Sequence, residues 1–311
     1  MSTDPSPPKA DYVWIDGTFV PWEEAKVHVL THTLHYGLGV FEGIRAYETH
    51  DGRVAVFRLR EHLRRFLDSA RICLLPIPYT LDVLADACLE TVRRNGARPC
   101  YLRPLAIVGP GQMGLGAMSN RTVVVIATWE WGAYLGEENL KTGIRAKVSS
   151  FTRPHVNTSM VKGKIVGQYV NSILAKREAL LDGFDEAILL DPEGFVSEAS
   201  GENVFCVRGG TLYTTPETGS ILAGITRDTV LRLAESLEIP VVETRYSRDV
   251  LWTADEVFMT GTAAEVTPVR EIDGRTIGTG TPGPVTQRVQ AAYFRAVRGE
   301  APESEAWLTY L

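Results

Sequence analysis

Cysteine is scarce in this 311-residue sequence. The four that occur, Cys73, Cys88, Cys100 and Cys206, form no CxxC pair and sit in apolar surroundings. A disulfide frame and a thiolate zinc site are therefore not expected; these are reduced core thiols of an intracellular protein. Long apolar runs are missing as well. The stretch VVVIA at residues 123–127 is strand-sized, far short of the roughly 20 residues a membrane helix needs. The N-terminus, MSTDPSPPKAD, has no apolar segment of the kind a secretory signal requires, so a soluble, cytoplasmic protein is expected with no membrane partner. Basic clusters are absent too. Lys and Arg number 32 against 38 Asp and Glu, a net charge of −6, and no aromatic-interleaved basic face points to a nucleic-acid partner. His28, His32 and His35 have a spacing that could align ligands on a helix. However, Val27, Val29 and Leu30 favour a strand there, and neither an HExxH motif nor a nearby cluster of acids accompanies them. Hydrogen-bonding histidines are expected, and no metal.

What is present is ordinary globular material, 44% hydrophobic and 23% charged, long enough for two compact domains. Residues 1–10 are Pro- and Ser-rich and read as loose. Alternating apolar residues around Asp16-Gly17 predict a hairpin over 12–20, and a further strand is expected at 26–30. The next stretch, THTLHYGLGVFEGIRAYE, carries Gly37, Gly39 and Gly43; it makes a poor helix and a poor strand, and suggests close approach of backbone to something else. Amphipathic periodicity predicts helices over 58–72 and 81–95, followed by strands at 100–108 and 122–128. Residues 131–141 read as a linker between a domain at 1–130 and a second at 142–311. In the latter, a strand at 144–150 and a helical pattern at 165–181 come first. Short strands at 186–190, 195–198, 204–207, 212–215, 241–244, 257–260 and 266–269 follow, with helices at 226–238 and before residue 297. Two α+β domains fit this order better than regular βαβ alternation.

Several stretches carry chemistry. SMVKGKIVGQY (159–169) sets Lys162 and Lys164 between a polar loop and a helix, where a lysine is either a surface residue or a Schiff-base nucleophile. GPGQMGLG (109–116) imitates a dinucleotide fingerprint, but a strand follows it instead of a helix, so the Rossmann reading fails. Leu222-Ala223-Gly224-Ile225-Thr226 opens a helix and is either a phosphate site or an ordinary threonine cap. Gly261-Thr262-Ala263-Ala264 is a second anion-holding turn or a plain bend. Glu198 at a strand end is either solvated or the partner of a protonated heterocycle nitrogen.

Together these stretches resemble the branched-chain amino-acid aminotransferases of the class IV (fold type IV) pyridoxal-phosphate family. The carriers are HYGLGVFEGIRAY, FRLREHLRRFLDSA, YLRPL, WGAYLG, VKGKIVGQY, SEASGENVF, LAGITRD and ADEVFMTGTAAEVTPV, in family order over nearly the whole chain. The resemblance implies a small N-terminal α/β domain and a larger strand-rich pseudo-barrel domain with pyridoxal 5′-phosphate as cofactor. It implies Lys164 as the Schiff-base lysine, with Lys162 structural, Glu198 beside the ring nitrogen and Tyr169 at the phenolic oxygen. Arg65, Leu222, Gly224, Ile225, Thr226 and Thr262 then belong to the cofactor site, most of them as its phosphate cup. Tyr101 and Thr262-Ala263 take the substrate α-carboxylate, and Arg103 the side-chain carboxylate of glutamate. Tyr36, Phe41, Met113, Leu115, Trp131 and Tyr134 line an apolar pocket with Arg45 near its mouth. The implied reaction is ping-pong exchange between L-leucine, L-isoleucine or L-valine and 2-oxoglutarate. A homodimer is implied, or a larger assembly such as a hexamer, in which Tyr36 and Leu115 reach a neighbouring site. D-Amino-acid transaminases, R-selective amine transaminases and aminodeoxychorismate lyases share the fold and are the rival readings. Ile165 and Val166 are bulkier than the small residues many relatives carry after the lysine, which bears on pocket width.

Overall fold

The structure, a computed structural model, describes residues 10–132 and 134–311. The expectation of a loose start at 1–10 therefore lies, except for Ala10, outside the described residues. The chain forms two compact units. Among the described residues, unit 1 comprises 10–131, 163–168 and 296–311; unit 2 comprises 132, 134–162 and 169–295. Two segments of the expected second domain thus belong to unit 1, because each finds its hydrogen-bonding and packing partners there.

In unit 1, β1 (Tyr12–Ile15) and β2 (Thr18–Pro21) form the expected hairpin. Asp16 and Gly17 both have positive φ (46° and 90°), as a two-residue turn of this kind requires. The expected strand at 26–30 does not form. Val27, Val29 and Leu30 are exposed, so their alternation has no face to bury and no strand to pair with. Instead α1 (His32–Tyr36) follows, ended by Gly37 in the left-handed region. The expected hydrogen-bonding histidines are found. The His32 and His35 Nε2 atoms bond the carbonyls of Gly114 and Val29, each at 2.9 Å, and His28 Nδ1 accepts from the Leu30 N–H.

The glycine-rich stretch is more regular than its composition suggests. It yields β3 (Gly39–Phe41) and β4 (Ile44–Glu48), and β5 (Val54–Phe57) comes next. Helices α2 (Leu59–Ile72) and α3 (Leu81–Arg94) run within a residue of prediction, α3 being capped by the Thr80 hydroxyl. β6 (Cys100–Val108) and β7 (Thr122–Trp129) pair antiparallel, from Tyr101 opposite Trp129 to Val108 opposite Thr122. One face of this pair, with Leu102, Ala106, Val124 and Ile126, joins Leu59, Leu63, Phe66, Leu84 and Cys88 in the core beneath the two helices.

Unit 2 begins near α4 (Glu137–Thr142), a short helix inside the expected linker. It continues through β8 (Ile144–Thr152), α5 (Tyr169–Leu181), β9 (Glu186–Leu190), β10 (Val196–Ala199), β11 (Asn203–Arg208) and β12 (Thr211–Thr214). Then come α6 (Ile225–Ser236), β13 (Val241–Glu243), α7 (Arg248–Trp252), β14 (Glu256–Gly261), β15 (Glu265–Ile272), β16 (Arg275–Thr276) and α8 (Pro284–Val297). Its sheet runs β10-β9-β8-β15-β14-β11-β12-β13, with β8 parallel to both β9 and β15. The chain returns to unit 1 with α9 (Ser304–Trp307) and β17 (Leu308–Tyr310), which pairs antiparallel with β5 and closes the order β17-β5-β4-β6-β7-β1-β2.

Residues 163–168 are fastened to unit 1 through backbone. The Gly167 N–H donates to Gly37 O at 3.0 Å, and Ile165 bridges Val40. This closeness needs glycine. A Cβ on Gly37 would lie 3.0 Å from Gly167 Cα, and Gly37 has φ +72°. Gly37→Ala is expected to lower stability by about 1–3 kcal/mol through strain and clash together, read by urea denaturation; an unchanged midpoint would show that this approach is not tight.

Candidate active site

The expected nucleophile lies on the fastened segment. The Lys164 N–H donates to Ser69 Oγ at 3.0 Å, and its carbonyl accepts from the Phe41 N–H at 3.1 Å. Both backbone polar groups of Lys164 are therefore held, and its amine stands 5.0 Å from the centre of the Phe41 ring. The chain fixes the base of this side chain where sequence spacing alone left Lys162 and Lys164 equivalent.

Ser69 shares one face of α2 with His62 and Arg65, the face that positions i, i+3 and i+7 define. Beside them sits Glu42, fully buried just past the end of β3. The Arg65 guanidinium grips it with two bonds (Nε to Oε1 2.7 Å, Nη2 to Oε2 2.9 Å), and His62 Nδ1 lies 2.7 Å from Oε2. Burial alone would raise the Glu42 carboxyl pKa; Arg65 and His62 outweigh it and hold the carboxyl far below the usual carboxylate range. Burial pushes His62 down, opposed by Glu42 and reinforced by the charges of Arg65 and Lys164. His62 is thus neutral, with Nδ1–H donating, and Glu42 is charged. Sequence reasoning missed both residues, since no local pattern marks an acid whose partner arrives from another element.

The second face of the β6–β7 pair carries the expected substrate residues. Tyr101 and Arg103 share it by strand alternation, and Trp129 stands across from Tyr101 in register. The Arg103 guanidinium lies 4.7 Å from the Phe41 ring centre, 5.5 Å from Tyr101 and 5.4 Å from Trp129. Its Nε is buried without a hydrogen-bond partner among the described residues. Trp131 packs edge-on against Tyr101 at 4.7 Å, and its carbonyl accepts from Arg45 Nη2 at 2.6 Å. Gly43 makes room for this wall, because a Cβ there would fall 1.8 Å from the Tyr101 hydroxyl. Tyr36 on α1, and Met113 and Leu115 in the loop after β6, are exposed within unit 1.

The other expected residues belong to unit 2. Glu198 on β10 is buried and paired with Arg153 (Oε1 to Nη2, 2.7 Å). Its Oε2 accepts from the Leu222 N–H at 3.0 Å and from Asn203 Nδ2 at 3.2 Å, so the solvated alternative is excluded. Gly224 precedes α6 with no side-chain cap, and a Cβ there would lie 2.1 Å from Asn203 Oδ1. Ile225 and Thr226 form the buried start of α6, while Thr262 and Ala263 form the turn between β14 and β15. Tyr169 opens α5. Tyr134 has its ring centre 5.4 Å from Lys176 Nζ, on α5 of the same unit. The Lys162 amine donates to the carbonyls of Glu217, Gly219 and Ile221, a structural clamp on the loop that leads to Leu222. Close to Glu198, burial and then the nearby Glu186 raise the carboxyl of Glu202, with Lys176 opposing.

Residues 39–272 match the amino-transferase class IV family. The chain belongs to that family. Over 297 residues it is 52% identical to the branched-chain-amino-acid aminotransferase of Pseudomonas aeruginosa, with 96% of each chain covered. It superposes on the T.th. branched-chain amino acid aminotransferase with pyridoxamine 5′-phosphate at a TM-score of 0.94 and 53% identity, covering 98% of this chain and 99% of that one. The same T.th. enzyme complexed with N-(5′-phosphopyridoxyl)-L-glutamate gives 0.93 and 52%, with the same coverage. Fold type IV architecture, the α+β class and the enzyme class follow as expected.

Glu42→Gln should cost about 3–5 kcal/mol, the usual penalty for breaking a buried pair. The pH dependence has a definite sign. Glu42 is depressed on folding, so its contribution is fully present above the unfolded carboxylate value and lost as pH falls from there through the much lower folded one. His62, lowered by burial, also favours unfolding once pH drops below its unfolded value. Wild-type stability should thus fall steeply in acid, and the variant should show a shallower slope in the carboxylate range. Parallel pH profiles in urea melts would count against the pairing.

Proposed function

We propose that the protein is a pyridoxal-phosphate-dependent transaminase moving the amino group of L-leucine, L-isoleucine or L-valine to 2-oxoglutarate, with L-glutamate as the second product. The names of its relatives support this, including one solved with a phosphopyridoxyl-glutamate. The observation that carries it is Arg103, a cation with no protein anion bonded to it among the described residues and three aromatic rings around it. Such a wall is apolar enough for an isobutyl group and still offers a seat to a second carboxylate.

The residues fit the cofactor. Gly224 leaves the first turn of α6 without a side-chain cap, where a phosphate is favoured, and Glu198 is held charged by Arg153. When bound, pyridoxal phosphate supplies a reactive carbonyl carbon and an electron-withdrawing ring. Lys164 Nζ would hold it and would move the proton at the substrate Cα. Glu198 would keep the ring nitrogen protonated, and Tyr169 would contact the phenolic oxygen. Arg65, Ile225, Thr226 and Thr262 would bind the phosphate, with Leu222 and Gly224 shaping the approach. Glu42 and His62 keep Arg65 aimed. Tyr101 and the Thr262-Ala263 backbone hold the α-carboxylate. Phe41, Tyr36, Trp131, Tyr134, Met113 and Leu115 enclose the side chain, and Arg45 stands at the mouth.

The reading includes a cytoplasmic homodimer or larger assembly. Leu34, Tyr36, Leu115 and Met118 are apolar and exposed in the single chain, as residues that meet a second copy would be. Among the described residues no helix is long and apolar enough to cross a membrane.

The test is a visible spectrum of the purified protein. The band of bound pyridoxal phosphate should bleach with L-leucine and return with 2-oxoglutarate. Bleaching by D-alanine or an R-amine but not by L-leucine would move the protein to a rival reaction. Lys164→Ala should lose turnover and the visible band while keeping its fold; an active variant would sink the role of Lys164.

A further inference from the structure

Trp129 is not among the residues the sequence motifs mark, yet it completes the surroundings of Arg103. The residue directly opposite Arg103 on β7 is Ala127, which is too small to block the guanidinium or to bond it. The head group lies instead among rings, 5.4 Å from the centre of Trp129, one position along the same face, with Phe41 at 4.7 Å and Tyr101 at 5.5 Å. Trp129 is in turn braced, with ring centres 5.1 Å from Tyr101 and 5.8 Å from Trp131. This face lies opposite the one that packs under α2 and α3, so the indole is not needed to fill that core.

A cation removed from water needs compensation. A carboxylate would supply it fully but would also occupy the N–H edges. An aromatic face supplies part of it through its quadrupole and leaves those edges available. On the proposed reading of Arg103 as the seat for the substrate's distal carboxylate, this difference matters, because the seat must be empty in one half-reaction and filled in the other. We propose that Trp129 is a specificity-determining residue. It positions Arg103 so that the site takes a dicarboxylate without excluding a branched apolar side chain.

The experiment measures, on the holoenzyme, dissociation constants for glutarate and for 4-methylvalerate by calorimetry. Their ratio isolates the distal carboxylate. Trp129→Leu should raise the ratio (glutarate over 4-methylvalerate) roughly 5- to 30-fold, the span of a cation–π contact at a partly desolvated site. Trp129→Phe, which keeps a π face, should bring the ratio back to within about threefold of wild type by the same principle. Trp129→Met serves as a second non-aromatic replacement should the leucine variant fold poorly. The KM ratio for 2-oxoglutarate against 4-methyl-2-oxopentanoate should move in the same direction. An unchanged ratio, or equal weakening of both ligands, would overturn the proposal. Arg103→Met separates the two readings. If it leaves the ratio unchanged, the distal carboxylate is seated elsewhere and both readings fall. If it raises the ratio while Trp129→Leu and Trp129→Met do not, only the role of Trp129 falls.

Discussion

The site depends first on a backbone seam. Lys164 is reached by a segment that leaves unit 2 after Lys162, runs through residues 163–168 in unit 1 and returns at Tyr169. Its backbone is held by bonds to Ser69 and Phe41, and the segment around it by the bond to Gly37 and the Val40–Ile165 bridge. Backbone bonds to a strand and a buried helix residue constrain a position more tightly than side-chain packing, since their geometry is directional and their loss leaves buried polar groups unpaired. Phe41 has two duties in consequence. Its N–H anchors the lysine, and its ring faces both the Lys164 amine and the Arg103 guanidinium.

Three buried acids meet three different environments. Glu42 receives two bonds from Arg65 and one from His62, and stays charged. Glu198 receives Arg153, an amide and a backbone N–H, a set that favours an anion at the end of β10. Glu202 is bonded by the Gly201 N–H, yet burial first and then the nearby Glu186 raise its carboxyl, with Lys176 opposing. The ordering is physical. Charge persists where a cation lies within bonding distance, and is resisted where burial is not offset by one.

Legibility of the fold followed the strength of local signals. The helices α2 and α3 and the long pair β6–β7 were readable because amphipathic period and the Asn95-Gly96 stop agreed with the strand-sized apolar runs around them. The strand expected at 26–30 rested on alternation alone, and alternation is silent about whether a partner strand exists. The short strand β17 acquires its meaning only by pairing with β5, far back in the sequence. The same limit applied to the site. Lys164, Arg65 and Glu198 could be singled out because motifs shared with the family carry them. Glu42, Arg153 and Trp129 were not singled out, because each matters through a partner that only the fold supplies. The glycines were a middle case. Their density correctly announced close approach, but only the structure identifies the partners as Gly167 for Gly37 and the Tyr101 hydroxyl for Gly43.

On the proposed function, the reaction class and the substrate ranking rest on different parts of the chain. Lys164 is fixed by backbone, and Arg65 and Glu198 by buried ion pairs, so substitution elsewhere moves them little. Met113 and Leu115 sit exposed in the loop between β6 and β7, outside the core that holds the paired strands. On the proposed reading, a change there would alter the shape offered to the substrate side chain without disturbing the groups that hold charge. Trp129 and Arg103 lie between these extremes. They are on rigid paired strands, yet they touch through a contact that tolerates different ring types. Divergence within the family at this level of identity should therefore appear first in the β6–β7 loop, next in the aromatic wall, and last in the seam around Lys164. The order follows from how each part is held, by loop, by packing and by backbone.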